Sequence, residues 1–155
     1  MNVQVVTLAP IALVMVRHQG PYETLSPVFD DLWAWVERHG VPAQRTIGIY
    51  WDNPDVVPAS RLRSAACVEV PPSYAIMDRG GIRVEPGSLA GGAYATVRFT
   101  GPYEELAPVW TALTHYVEHD LRRTISQEPA FEVYVNDASE TPPAGLITDL
   151  YMPVL

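Results

Sequence analysis

The chain has 155 residues, of which 48% are hydrophobic and 18% are charged. A chain of this length fits one compact domain, which can bury enough apolar surface to fold without disulfide bonds or a structural metal. The 18 acidic residues outnumber the 10 basic ones, and the resulting net charge of −8 argues against direct binding to nucleic acid.

The sequence also gives no sign of a membrane or secretory segment. No apolar run approaches the length of about 18 residues that a membrane span requires. The first ten residues have neither a basic stretch nor a cleavage site, so we expect a soluble, cytoplasmic protein without membrane contact. The single Cys67 cannot form an internal disulfide, and we interpret it as a buried structural thiol.

The chain contains an internal repeat. Residues 8–37 align with residues 89–118 at a constant offset of 81, and 15 of the 30 positions are identical. The block Gly-Pro-Tyr-Glu at 20–23 recurs at 101–104. Identity over half of an ungapped stretch this long indicates a duplicated module.

Beyond this stretch the offset becomes 84, which aligns Tyr50 with Tyr134. We predict one small-molecule-binding domain made of two modules. The predicted boundaries are 1–155 for the domain, about 1–70 for module one, about 71–92 for the linker and about 89–155 for module two.

Both modules follow the same order of strand, helix, strand, strand. In each, a Gly-Pro break follows the first strand and leads into a helix whose apolar residues, three and four positions apart, form one buried face. Those residues are Leu25, Val28, Phe29, Leu32 and Val36 in module one and Leu106, Val109, Trp110, Leu113 and Val117 in module two. The predicted strands are Leu13–Arg17, Thr46–Trp51 and Arg63–Val70, then Tyr94–Phe99, Phe131–Val135 and Ile147–Pro153.

Duplication of this pattern predicts an α+β fold. We expect about eight mostly antiparallel strands, with two long helices on one face of the sheet. A groove between the helices is the predicted ligand site, because ligand sites favour the interfaces between modules.

Glu132 is the candidate binding residue. Alternation along residues 131–135 puts Glu132 and Tyr134 on the same face of a strand. Module one has Gly48 and Tyr50 at these positions, so the repeat keeps the tyrosine and carries the carboxylate only once. A carboxylate beside aromatic rings attracts a hydrophobic cation, through charge and through cation–π contact. The alternative is a carboxylate on the solvated face of an antiparallel sheet.

Aromatic side chains are the candidate walls of the pocket. Four tryptophans and eight tyrosines exceed what a core of this size needs, and some are expected to contact a planar ligand. The candidates are Tyr134, Tyr50, Tyr94, Phe29, Trp110 and Trp33. For Phe29 and Trp110 simple packing is the alternative, because they occupy equivalent core positions on the two helices.

Other reactive groups carry no predicted function. His115 and His119 stand four residues apart, as metal ligands on a helix can, but both fall on the solvent side of the helix. There is no nucleophile motif, phosphate-binding glycine loop or cysteine pair. We therefore predict no metal, no cofactor and no catalytic residue.

Four blocks of sequence, in fixed order, cover nearly the whole chain. They are GPYETLSPVFDDLWAWVERHG, IYWDNPDVVPASRLRSAACVEV, GGAYATV and PAFEVYVND. The most specific parts are Tyr-Trp-Asp-Asn-Pro-Asp at 50–55 and Phe-Glu-Val-Tyr at 131–134. In these blocks the chain resembles the GyrI-like family of DNA gyrase inhibitors and effector-binding domains.

The resemblance implies two SHS2-type modules with a small-molecule pocket between them. Similar domains, attached to AraC-type and MerR-type regulators of transcription, take up drug-like ligands that are often cationic or aromatic. Glu132 stands where such domains usually carry their pocket acid. Relatives often have a second acid where this chain has Ala65, whereas Asp149 occupies the equivalent place in module two.

Three functions follow as hypotheses. The first is a stand-alone effector-binding domain that takes up hydrophobic, aromatic or cationic small molecules for sensing or toxin sequestration. The second is a hydrolase of reactive, cyclopropanoid-type xenobiotics that uses Glu132 as a general base. The third is an inhibitor or modulator that contacts DNA gyrase, or a separate regulator, directly. We favour the binding domain over the enzyme.

Overall fold

The computed structural model describes all 155 residues. It contains eight β-strands and two α-helices, and the pairings within each unit of the fold are antiparallel. The strands are β1 (Gln4–Leu8), β2 (Ile11–Gln19), β3 (Thr46–Tyr50), β4 (Arg63–Glu69), β5 (Glu85–Leu89), β6 (Gly92–Thr100), β7 (Ala130–Tyr134) and β8 (Ile147–Pro153). The predicted α+β class and the number of strands and helices are confirmed.

The chain forms two compact units. The first-repeat unit comprises residues 10–90, and the second-repeat unit comprises residues 1–9 together with 91–155. The strand order is β3-β4-β2-β5 in the first-repeat unit and β1-β6-β8-β7 in the second-repeat unit. Each unit therefore has four strands. Three of them belong to one repeat of the sequence, and the fourth belongs to the other repeat.

The exchanged strands are β1 and β5. β1 pairs with β6, where Gln4 faces Thr96, and β5 pairs with β2, where Glu85 faces Met15. These two pairs of residues are related by the offset of 81, so both pairings have the same register. Sequence analysis assigned no residues to β1 and left β5 inside the predicted linker.

Each helix packs on one face of the sheet in its own unit. α1 (Ser26–His39) begins with a proline in its first turn, as does α2 (Leu106–His115). The prolines are tolerated there because the missing N–H would have no intrahelical partner. A single π-helical turn, Tyr116–Asp120, continues α2. Neither helix is long and apolar enough to cross a membrane.

The predicted helix faces are buried. In the second-repeat unit Leu113 and Val117 pack with Val97, Leu150 and Met152 of the sheet. In the first-repeat unit Leu32, Trp35 and Val36 of α1 are buried, together with Leu25 directly before the helix, and they pack with Val14, Ala66 and Val68. These contacts identify the helix-covered face of the strands in each unit. The candidate site lies on this face in the second-repeat unit.

The Gly-Pro break positions the start of each helix. Gly20 and Gly101 have φ angles of +139° and +154°, in a region that side chains disfavour. A Cβ at Gly101 would also lie 2.7 Å from the Phe99 ring. The N–H groups of the two glycines donate to the carbonyls of Leu62 and Leu146, at 2.9 and 2.8 Å. The turn that precedes each helix is thereby tied to the last strand of its repeat.

Candidate ligand-binding site

Glu132 lies in the middle of β7, on the face of the sheet that α2 covers. It faces Leu150 of β8, whose side chain belongs to the core beneath α2. The side chain of Glu132 is buried, with 4% of the residue exposed. The alternative of a solvated carboxylate is therefore wrong.

Two donors hold the carboxylate of Glu132. The indole Nε1–H of Trp110 donates to Oε1 at 2.7 Å, and the hydroxyl of Tyr134 donates to Oε2 at 2.7 Å. A donor on each oxygen suits the ionised carboxylate, which only accepts hydrogen bonds. Hydrogen bonds to a charged group contribute about 1.5–3 kcal/mol each, which offsets part of the cost of burying the charge.

Tyr103 is the third aromatic residue of the site. It stands in a single 3-10 turn, Tyr103–Glu105, directly before α2, and its ring lies 5.5 Å from that of Tyr134 in an edge contact. Burial raises the pKa of Tyr103, and the carboxylates of Asp137 and Glu132 raise it further. The charge on Glu132 therefore acts on Tyr103, which is 37% exposed.

The arrangement suits a cation with an apolar body. A carboxylate with little access to water gains most from a counter-charge, because the low dielectric constant around it strengthens the attraction. Indole and phenol rings attract a cation through their π faces, typically by about 0.5–2 kcal/mol each. Glu132, Trp110, Tyr134 and Tyr103 provide both kinds of interaction within one unit.

Tyr103 is not among the wall residues predicted from the sequence. It lies in a 3-10 turn, where neither the period of a helix nor the alternation of a strand shows which way a side chain points. The available signal was the repeated block Gly-Pro-Tyr-Glu, in which Tyr22 and Tyr103 are equivalent. A tyrosine kept in both modules, beside the tyrosine pair Tyr50 and Tyr134, could have been included on that ground.

The first-repeat unit has an equivalent pair of tyrosines. The rings of Tyr22 and Tyr50 lie 4.8 Å apart at 71°, close to the geometry of the pair in the other unit. The hydroxyl of Tyr22 donates to the backbone carbonyl of Asp52 at 2.6 Å. Where the second repeat has Glu132, this repeat has Gly48 on β3.

Tyr94, a predicted wall residue, is not brought to Glu132. Its ring packs edge-on against Phe131 at 5.4 Å and against Tyr151 at 6.3 Å. Phe131 precedes Glu132 on β7, so the two side chains point to opposite faces of the sheet. Tyr94 therefore belongs to an aromatic cluster on the face away from α2.

The remaining predicted wall residues lie in the first-repeat unit. Tyr50 contacts Tyr22, while Phe29 and Trp33 are partly buried and pack against the core of that unit. Of the predicted set, the structure thus brings Glu132, Tyr134 and Trp110 together in one unit. The predicted groove between the two helices stays a prediction.

The two repeats differ in the residue that faces an equivalent arginine. In the second-repeat unit Arg98 faces Asp149 across two strands and binds it at 2.8 and 3.0 Å. In the first-repeat unit Arg17 faces Ala65. Its guanidinium turns to the neighbouring strand and binds Glu85 at 2.6 Å. These pairs are exposed and contribute little to stability.

Two histidines and Cys67 carried no predicted function. His115 and His119 are exposed, as predicted, with their rings stacked 4.1 Å apart. No group of three or more His, Cys, Asp or Glu side chains is placed to hold a metal ion. Cys67 is fully buried in β4, as predicted, and burial raises the pKa of its thiol.

The duplicated α+β fold and the buried carboxylate among aromatic rings define a small-molecule-binding domain. The sequence profile of the GyrI-like small molecule binding domain matches residues 1–155. The chain therefore belongs to the GyrI-like family, and the resemblance noted in the sequence is confirmed.

Relatives and solved structures agree with this assignment. A DNA gyrase inhibitor from Klebsiella pneumoniae (strain 342) is 31% identical over 155 residues, covering 99% of this chain and 97% of the relative. EcmrR in a cryo-EM structure of its DNA complex has a TM-score of 0.80 at 14% identity, covering 99% of this chain and 57% of EcmrR. SAV2435 bound to tetraphenylphosphonium has a TM-score of 0.64 at 17% identity, covering 100% of this chain and 94% of SAV2435. At these identities the two structures support the fold alone.

Proposed function

We propose that this protein binds hydrophobic, aromatic cations at the site around Glu132, and that binding serves sensing or the sequestration of toxic compounds. The observation that carries the proposal is the buried carboxylate of Glu132 with a donor on each oxygen, from Trp110 and Tyr134. SAV2435, which has the same fold, has been solved with tetraphenylphosphonium, a cation of this class.

The physical argument concerns the cost of desolvation. A cation whose charge is spread over aromatic groups is weakly hydrated, so it loses less on leaving water than a compact ammonium ion does. Such a cation also buries apolar area against the rings of Trp110, Tyr134 and Tyr103, which contributes about 25 cal/mol per Å². The net charge of −8 adds a long-range attraction for any cation.

Calorimetric titration with tetraphenylphosphonium tests this proposal. We expect Glu132→Gln to weaken binding at least about tenfold, because it removes a charged interaction of about 1.5–3 kcal/mol while keeping the side-chain shape. Tetraphenylborate has nearly the same shape and the opposite charge, and it should bind far more weakly to the wild type.

Equal affinity of the wild type and Glu132→Gln for tetraphenylphosphonium would overturn the proposal, as would equal affinity of the wild type for the two ions. Thermal unfolding of Glu132→Gln provides the control for folding. Mass spectrometry after incubation with a reactive candidate ligand addresses the hydrolase alternative, since turnover would add the mass of water.

Inhibition of DNA gyrase is the second candidate function. The observation in its favour is the relative described as a DNA gyrase inhibitor, aligned over 99% of this chain. A supercoiling assay with purified gyrase at two salt concentrations tests it. If the acidic surface makes the contact, inhibition should weaken as salt rises, because salt screens exposed charges. Glu132→Gln should then inhibit as well as the wild type, since its carboxylate is buried.

A further inference from the structure

A cavity lies in the first-repeat unit, between two strands and the segment 70–79. Its volume is about 350 Å³, which is at the lower end of the range for small-molecule sites. Strands β2 and β5 supply one wall, with Ala12, Val14 and Pro86. The segment 70–79 supplies the other wall, with Tyr74 and Ile76. Most of the lining residues are thus apolar.

The outer wall of this cavity is anchored to α1. The indole Nε1–H of Trp35 donates to the carbonyl of Asp78 at 2.9 Å. The carboxylate of Asp78 accepts the N–H of Gly80 at 2.9 Å and lies 3.4 Å from Nε2 of His39. Two contacts with α1, from Trp35 and His39, therefore fix the end of the segment that forms this wall of the cavity.

Arg79 is the one charged side chain in the lining. Its guanidinium donates from Nη1 to the carbonyl of Val84, which uses one of its five N–H donors. Four other arginines of the chain each pair with a carboxylate, namely Arg17, Arg45, Arg63 and Arg98. Arg79 has no carboxylate partner, so its positive charge is available to an anion in the cavity.

We propose that this cavity binds a small anionic amphiphile, a carboxylate or sulfonate with an apolar body, whose charged group pairs with Arg79. The apolar body lies between Ala12 and Val14 on one side and Ile76 on the other. The ligand is opposite in charge to the one proposed for Glu132. The protein therefore has two separate sites that select ligands by the sign of their charge.

Three probes with the same ten-carbon chain test the proposal by calorimetry below their micelle concentrations. They are decanoate, decanol and decyltrimethylammonium. We expect decanoate to bind the wild type at least about tenfold more tightly than decanol, because a guanidinium forms charge-assisted hydrogen bonds with a carboxylate. Arg79→Gln should abolish that preference. Arg83→Gln is the matched control, since Arg83 is an exposed arginine nearby that does not line the cavity.

A second variant tests the location. Ala75 is exposed and lines the cavity, so Ala75→Trp should fill it and remove decanoate binding without disturbing the core. Equal binding of decanoate and decanol to the wild type would overturn the proposal, as would unchanged decanoate binding in both Arg79→Gln and Ala75→Trp. Glu132→Gln separates the two proposals, because it should weaken only decyltrimethylammonium. Loss of decanoate binding in Glu132→Gln would overturn the second site.

Discussion

The two repeats carry the same pair of tyrosines but hold them differently. Tyr22 and Tyr50 lie 4.8 Å apart at 71°, and Tyr103 and Tyr134 lie 5.5 Å apart at 68°. The hydroxyl of Tyr22 is fixed by the carbonyl of Asp52, whereas Tyr103 has only its ring contact. The fold therefore builds both pairs, but it ties the hydroxyl of the outer tyrosine to the backbone only in the repeat that lacks the buried acid.

The chemistry behind the two pairs differs in a coordinated way. The second repeat has Glu132 and the indole of Trp110, whereas the first repeat has Gly48 and the phenyl ring of Phe29. The acid and its N–H donor thus occur together or not at all. The tyrosines are the common scaffold, and the acid with its indole is the feature that distinguishes one repeat as a site.

Placing an acid in the first repeat, at the position equivalent to Glu132, should change the free energy of unfolding most. Gly48 is buried on β3, and Phe29 offers no N–H donor to a carboxylate there. We expect Gly48→Glu to be less stable than Gly48→Gln by about 3 kcal/mol at pH 7. The buried carboxylate would lack a counterpart of the Trp110 donor, and either keeping its charge or binding a proton at this pH would cost free energy. Urea unfolding measures this difference.

The pH dependence provides the control for this comparison. A carboxyl group that the folded state prefers to keep protonated destabilises the fold above its unfolded pKa, so the difference between Gly48→Glu and Gly48→Gln should shrink as the pH falls towards 4. Adding Phe29→Trp to Gly48→Glu should recover part of the loss. Equal stability of the Glu and Gln variants at pH 7 would contradict this prediction, because it would mean that a carboxylate at position 48 has no free-energy cost.

Removing the donor from the natural site should have the next largest effect. Trp110→Phe gives the second repeat the ring of the first and takes one hydrogen bond from the Glu132 carboxylate. We expect a loss of about 1.5–3 kcal/mol in the free energy of unfolding. A double-mutant cycle with Glu132→Leu separates the hydrogen bond from the change in ring volume. A coupling energy near zero would mean that the indole only fills space.

Removing the hydroxyl of Tyr22 or of Tyr103 should change the free energy of unfolding by a smaller amount. Tyr22→Phe removes the hydrogen bond that the hydroxyl donates to the Asp52 carbonyl and the one that it accepts from the Asp52 N–H, so we expect a loss of about 1–2 kcal/mol. Tyr103→Phe removes a hydroxyl that makes no hydrogen bond in the structure, so its effect should stay within about 0.5 kcal/mol. Thermal unfolding of the two variants side by side checks this. An equal loss of stability in both variants would contradict the finding that only the hydroxyl of Tyr22 is hydrogen-bonded.

The smallest change in stability is expected for Asp52, and it should disappear at acid pH. Hydrogen bonds from Arg63 hold the pKa of Asp52 below its usual value of 3.8. The ionised carboxylate therefore contributes stability above pH 3.8 and loses it as the pH falls through the lower, folded pKa. Asp52→Asn should be slightly less stable than the wild type at pH 7 and equally stable at the acid end, as measured by urea unfolding across this range.

The repeat itself provides the control for that substitution. At the equivalent place, Asn136 accepts the N–H of Ile147 at 2.9 Å, just as Asp52 accepts the N–H of Arg63 at 2.8 Å. An asparagine can therefore keep the backbone contact and lose only the ion pair. A stability difference that persists below the folded pKa would contradict this account.

Local patterns predicted the helices, six of the strands and the face on which Glu132 points. They could not assign β1 and β5, because both are edge strands and β5 contains Pro86 and Gly87, which weaken any strand signal. Pairing with β6 and β2 places these strands, and pairing between distant residues is invisible in a local window.

The site was predicted in part for the same reason. Alternation along β7 put Glu132 and Tyr134 on one face, but it could not show that α2 covers that face. The hydrogen bond from Trp110 depends on the distance between a helix and a strand. The sequence pattern therefore fitted a core packing residue as well as a residue of the site. Tyr94 was assigned to the wall by residue type, and only the strand register shows that it lies with Phe131 on the opposite face.

The reciprocal exchange of β1 and β5 bears on how such a chain could arise. A single copy of the repeat could complete its four strands only by lending its first strand to a second molecule and borrowing one in return, which is a swapped homodimer. In such a dimer every substitution appears twice. In one polypeptide that carries both copies this constraint is absent, so position 132 can carry an acid while position 48 carries glycine.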